Sequence, residues 1–110
     1  MKVAVIGSRN LVVSDFEKYL PESTTEIISG GARGVDSSAA EYARKKGITL
    51  TEIKPDYARY KRGAPLVRNK LIIEGADMVL AFWDGRSKGT KFVIEECHKT
   101  GKAVCVVMME

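Results

Sequence analysis

Three glycine-bearing turns, each following an apolar run, hold most of the residues whose types and spacing could do chemistry. They are Gly7-Ser8-Arg9, Ser29-Gly30-Gly31-Ala32-Arg33-Gly34-Val35-Asp36 and Asp84-Gly85-Arg86-Ser87-Lys88-Gly89-Thr90. Glycine lets backbone N–H groups come close to a ligand. A helix beginning just afterwards aims its positive end and its unpaired N–H groups at the same point. The hydroxyls of Ser8, Ser29, Ser87 and Thr90 add donors, and Arg9 and Arg33 add guanidinium forks suited to phosphate oxygens. This is chemistry for holding an anion such as the phosphate of a nucleotide. A dinucleotide fingerprint would place G-x-G-x-x-G after the first strand, where Gly7-Ser8-Arg9-Asn10 stands instead, and the P-loop pattern G-x-x-x-x-G-K-[ST] does not occur.

Several residues carry two readings. Thr90 follows Gly89 at a helix start, where it suits a phosphate contact or a helix N-cap. Asp36 in a first helical turn complements the helix dipole or receives a ribose hydroxyl. Asp84 fixes its own turn or receives a sugar hydroxyl. Arg68 and Asn69 follow Pro65 on a separate helix, and Arg68 lies one turn from the apolar Ile72, so its side chain is expected to lean over the sheet edge. Trp83, Tyr57 and Tyr60 offer stacking surfaces for a base, although Trp83 at a strand end also suits the core.

Composition removes other classes of chemistry. The 110 residues are 45% hydrophobic and 29% charged, an ordinary globular balance for one domain spanning 1–110. No run of ~18 apolar residues is present, so no membrane association is expected. Met1 leads straight into Lys2-Val3-Ala4-Val5-Ile6 without an apolar signal region, which implies a cytoplasmic protein. Cys97 and Cys105 lack metal-ligand or redox spacing and read as reduced packing residues, Cys97 in a helix and Cys105 in a buried strand. His98 is the sole histidine and reads as an exposed helix residue, so no metal site is expected and no cofactor is implied. The net charge of +4 is unevenly spread. Residues 1–53 carry seven basic and seven acidic side chains, and residues 54–110 carry eleven and seven. Within 54–70, Lys54, Arg59, Lys61, Arg62, Arg68 and Lys70 face only Asp56, a run that attracts anions and keeps single-stranded nucleic acid open as a partner.

The elements that must position these residues alternate regularly. Strands are predicted at Lys2–Ile6, Glu26–Ser29, Ile48–Ile53, Met78–Trp83 and Ala103–Met108, the third with the alternation of a sheet edge. Helices are predicted at Ser14–Tyr19, with Ser14 and Glu17 as a capping box and Pro21 as terminator; at Val35–Lys46, stopped by Gly47; from Pro65 to about Glu74; and from Lys88 or Thr90 to Gly101. Residues 55–63 read as a loop with a helical turn. Short apolar strands separated by helices imply a parallel sheet covered on both faces. With right-handed crossovers the fold is a three-layer α/β Rossmann-like domain with a five-stranded parallel sheet in the order 3-2-1-4-5. Ligands bind such sheets beyond the carboxyl ends of the strands, where the winding reverses, here between strands one and four. Topology alone therefore brings the three turns to one crevice.

The set Gly7-Ser8-Arg9, Ser29–Asp36, Arg68-Asn69 and Ala76-Asp77…Trp83-Asp84-Gly85…Ser87…Gly89-Thr90 resembles the SLOG superfamily, most closely its small YspA/YpsA-related bacterial proteins. The resemblance implies a Rossmann-like fold and a nucleotide or nucleotide-derived ligand in a sensor or carrier module. The chain is also similar to the lysine-decarboxylase-like phosphoribohydrolases, whose helix arginine precedes an Ala-Asp pair by eight residues, as Arg68 precedes Ala76-Asp77. Their catalytic glutamate falls three residues after the threonine, where this chain has Val93; Glu95 is the nearest substitute. That departure argues against the same N-glycosidic hydrolysis, which generally needs a carboxyl group beside the bond. If a reaction occurs, its candidates are Arg68 and Glu95. Similarity to Smf/DprA in Ser29–Asp36 and Ser87–Thr90 implies the alternative of single-stranded DNA binding. Relatives also imply a homodimer, with Val106–Met109 as core or interface.

Overall fold

A computed structural model describes residues 1–109. Five strands form one parallel sheet: β1 Lys2–Gly7, β2 Glu26–Ser29, β3 Thr49–Glu52, β4 Met78–Trp83 and β5 Val104–Met108. Their order is β3-β2-β1-β4-β5, the doubly wound arrangement expected. Helix α1 is Val35–Lys46, the short α2 is Tyr57–Tyr60, α3 is Ala64–Gly75 and α4 is Lys88–Thr100. The fold is therefore Rossmann-like.

Period-two alternation sorts the strand side chains onto two cores. Val3, Val5, Ile27, Leu80 and Phe82 pack with Val35, Ala39 and Ala43 of α1 on one face. Ala4, Ile28 and Val79 pack with Ile72, Ile73, Val93 and Cys97 of α3 and α4 on the other. The alanines of α1 let that helix lie close to the strands. Gly47 and Gly101 end α1 and α4 in the left-handed conformation, at φ +69° and +77°.

Two expectations are corrected. Ser14–Tyr19 is not a helix: only a 3-10 turn forms, at Phe16–Lys18, and neither Ser14 nor Glu17 completes a capping box. The segment is tethered at Val13, whose N–H donates to Ser38 Oγ at 3.2 Å, and ends at Pro21. So short a stretch cannot offset helix nucleation. It is held by aromatic burial instead: Phe16 and Tyr19 meet the Phe82 ring edge-on at 5.5 and 5.2 Å. The second correction concerns Cys105, which is exposed rather than buried. It lies on β5, an outer strand with no neighbour beyond it, and Val106 and Met108 are exposed there as well.

Candidate functional site

A cavity of about 670 Å³ opens beyond the carboxyl ends of β1 and β4, where the chain turns off toward the flanking helices. Its walls come from four places. The turn after β1 supplies Gly7, Ser8, Arg9 and Asn10; the turn after β2 and the start of α1 supply Gly30, Ala32, Arg33 and Asp36. Helix α3 supplies Pro65, Arg68, Asn69 and Ile72, and the start of α4 supplies Ser87, Gly89 and Thr90, with Ile6 on β1.

The start of α4 is built to leave donors free. Ser87 occupies its N-cap position without a side-chain cap, and no acidic residue stands in its first turn. The Lys91 N–H donates to Ser87 O at 3.1 Å, so the amides of the three preceding helical residues are the unpaired ones that any helix start carries. Asp84 shapes the approach. Its Oδ1 accepts the N–H groups of Arg86 and Ser87, both at 2.8 Å, and these bonds hold the carboxyl below the usual carboxylate range. Its own turn thus engages Asp84. The Trp83 indole N–H donates to Ser87 O at 3.0 Å, which locks the same turn from the strand side. Ser8 ties it to β1: its N–H donates to Phe82 O at 3.2 Å and its Oγ accepts the Asp84 N–H at 3.4 Å.

The opposite wall centres on Arg68, which is half-buried and leans over the sheet edge. Its Nε donates to Asn69 Oδ1 at 2.8 Å, and its Nη1 donates to Gly30 O at 2.9 Å and Ile53 O at 3.4 Å. One guanidinium thus ties together α3, the turn after β2 and the end of β3. Burial lowers its pKa, opposed by the nearby Asp36 carboxylate. Asp36 is itself buried, and burial pushes its carboxyl up, against the pull of the Ala32 N–H at 3.1 Å and the Arg68 charge.

The glycines serve different ends. A side chain at Gly7 would run into Val35, and one at Gly30 would overlap the Arg68 guanidinium, 2.9 Å from its Cζ. At Gly34, φ is +77° and a Cβ would sit 2.6 Å from the Arg9 carbonyl carbon. Gly7 and Gly34 are required by protein packed against protein, whereas at Gly30 the clash is with the end of the Arg68 side chain. Gly89 has open space where a Cβ would be.

Of the residues expected at the site, Gly7, Ser8, Arg9, Gly30, Arg33, Asp36, Arg68, Asn69, Ser87, Gly89 and Thr90 line the cavity, while Ser29, Gly31, Gly34, Asp84 and Gly85 do not. Ser29 is fully buried with its Oγ unpartnered, and Gly31, Gly34 and Gly85 shape their turns at positive φ. Glu95 is exposed on α4 and absent from the lining, and Val93 is fully buried in the core. Tyr57 and Tyr60 are exposed on α2. Sequence reasoning missed Asn10 and Ala32, which adjoin chosen positions, Pro65, three residues before Arg68, and Ile6 and Ile72, whose apolar pattern marks only core.

Residues 1–60 match the sequence profile of the YspA, cpYpsA-related SLOG family, YAcAr. The chain belongs to that family. The match spans β1, β2, β3 and α1, and so includes two of the three turns that wall the cavity of this YAcAr member. The chain is also 37% identical over 81 residues to the Gene 61 protein of Mycobacterium phage D29, an alignment covering 68% of this chain and 65% of that relative. It thus spans about 65% of the length of that relative. No solved structure matches.

Proposed function

We propose that the chain binds a nucleotide or nucleotide-derived phosphorylated ligand in this cavity, as a sensor or carrier module. The carrying observation is where the buried polar groups lie. Among the described residues five polar side chains are buried, and four of them, Ser8, Asp36, Asn69 and Thr90, line this one cavity. Buried polar groups are costly unless partnered. Here they gather beside three arginines and the uncapped start of α4. The volume falls in the range of small-molecule sites. Apolar Ile6, Ile72 and Pro65 complete the wall and suit a sugar or base. Family membership agrees with a nucleotide-related ligand.

The binding reading is favoured over hydrolysis because Val93 is core and Glu95 stands away from the cavity. Isothermal titration against a panel of nucleoside mono- and diphosphates tests the proposal. Expected is saturable heat with at least one member, weakened about tenfold or more by Arg9→Ala with Arg33→Ala. A folded protein that gives no heat with any member overturns it.

A further inference from the structure

Asp36 is out of keeping with an anion site. It is the one carboxylate among the lining residues, beside Arg9, Arg33 and Arg68. Ionised, it would stand against the anion that those arginines attract. Asp36 is only 7% exposed, and its Oδ2 accepts the Ala32 N–H at 3.1 Å.

The groups around it are few. Arg68 faces it from α3: a Cβ on Gly30 would lie 2.9 Å from Arg68 Cζ and 3.1 Å from Asp36 Oδ2, so both groups crowd the same glycine. They make no direct ion pair; among the described residues the salt bridge is Lys18 with Asp15. Glu52 at the end of β3 opposes ionisation of Asp36, and the Ala32 and Gly30 amides favour it. Arg9 from the turn after β1 acts on Arg68, and Arg33 lies in the turn leading into α1, three residues before Asp36. Burial already makes the ionised form unfavourable before any ligand arrives.

We infer that an anion binds this cavity together with a proton, and that Asp36 holds the proton. The inference rests on the anion-binding reading above. Protonation removes the like charge beside the anion and makes the carboxyl a hydrogen-bond donor. It also frees the Arg68 charge from its neighbour. Because the occupied site binds more protons than the empty one, affinity rises as pH falls, by at most about tenfold per pH unit for one proton.

Sulfate is the probe, since it keeps both charges across the range and takes up no proton itself. Its binding is measured by isothermal titration between about pH 8 and about pH 4.5, in two buffers of contrasting ionisation enthalpy, with circular dichroism reporting the fold. Expected are affinity that tightens toward low pH and a heat difference between buffers showing uptake of up to one proton. Asp36→Asn should bind sulfate with no proton uptake and little pH dependence. His98→Asn, altered on an exposed residue at the far end of α4, should behave as the unaltered protein. Should Asp36→Asn not fold, the buffer comparison on the unaltered protein and His98→Asn decides. Sulfate binding without proton uptake, or uptake that persists in Asp36→Asn, overturns the inference and leaves the anion site standing. No sulfate binding at any pH overturns the inference too, and the nucleotide titration then decides the binding reading on its own.

Discussion

Asp36 and Gly34 show how single residues at this site trade stability for arrangement. Burial raises the Asp36 pKa in the folded chain above its ordinary value of 3.8. The sign follows from linkage. Its contribution favours folding fully below that ordinary value and is lost as pH rises through the raised one. At neutral pH the ionised carboxylate is therefore a cost, and Asp36→Asn, which can still accept the Ala32 N–H, should melt higher than the parent. The gain should vanish as pH falls to the ordinary value of 3.8. Thermal melts at the two pH values check it, and equal differences at both would show the reasoning wrong. Gly34→Ala should have the opposite effect, costing about 1–3 kcal/mol because of its φ of +77° and the Arg9 backbone beside it. Gly89→Ala meets nothing within 4 Å, so it should leave the melting temperature within about 2 °C. Any loss of nucleotide binding in Gly89→Ala then reports ligand contact rather than unfolding.

At the scale of elements, Arg68 is a clasp across α3, β3 and the turn after β2. Lysine keeps the charge but lacks the planar fork needed to reach Gly30 O, Ile53 O and Asn69 Oδ1 together. Arg68→Lys should therefore speed amide hydrogen exchange about tenfold or more in residues 30–34 while leaving α4 unchanged. Exchange that stays slow there would show that the loop holds itself. The 3-10 turn after β1 makes a different kind of closure, through ring packing rather than helical hydrogen bonds. Phe16→Ala should cost about 3–5 kcal/mol, measured by urea denaturation, because Phe16 is 1% exposed and meets both Phe82 and Tyr42. A loss under 1 kcal/mol would mean that the neighbouring Tyr19 and Leu20 close the gap.

Across the whole molecule the two edges of the sheet are unlike. β3 carries threonine and glutamate, whereas β5 is Val-Cys-Val-Val-Met with Cys105, Val106 and Met108 exposed. An apolar outer strand without charge or proline invites association. The thiols report on this difference. Cys97 is buried with its pKa raised by burial, so it should resist a thiol reagent until the protein unfolds, while Cys105 reacts at once. One fast thiol and one slow thiol is the expected count, and two fast thiols would place the Cys97 helix in an open state. No helix among the described residues is long and apolar enough to cross a membrane.

Strand order, the bounds of α1, α3 and α4 to within a residue or two, and the convergence of three turns were legible without coordinates. They depend on local quantities: apolar runs of strand length, glycine and proline at element ends, and the fixed handedness of crossovers. Helix α1 and its Gly47 stop are the clearest case. The turn at Phe16 was not legible, because its cap-like Ser14 and Glu17 were outweighed by a ring contact with Phe82, some 66 residues away in the chain. Nor was the exposure of Cys105, which faces the same side as Leu80, where α1 packs on β1, β2 and β3 rather than on β5. Two of the glycines that advertised a ligand, Gly7 and Gly34, turn out to be required by Val35 and by the Arg9 backbone, which only packing could reveal. Sequence pattern thus determined that the three turns come to one crevice. Tertiary structure decided which of their residues are occupied with each other, since side-chain contacts between distant segments leave no periodic trace along a chain.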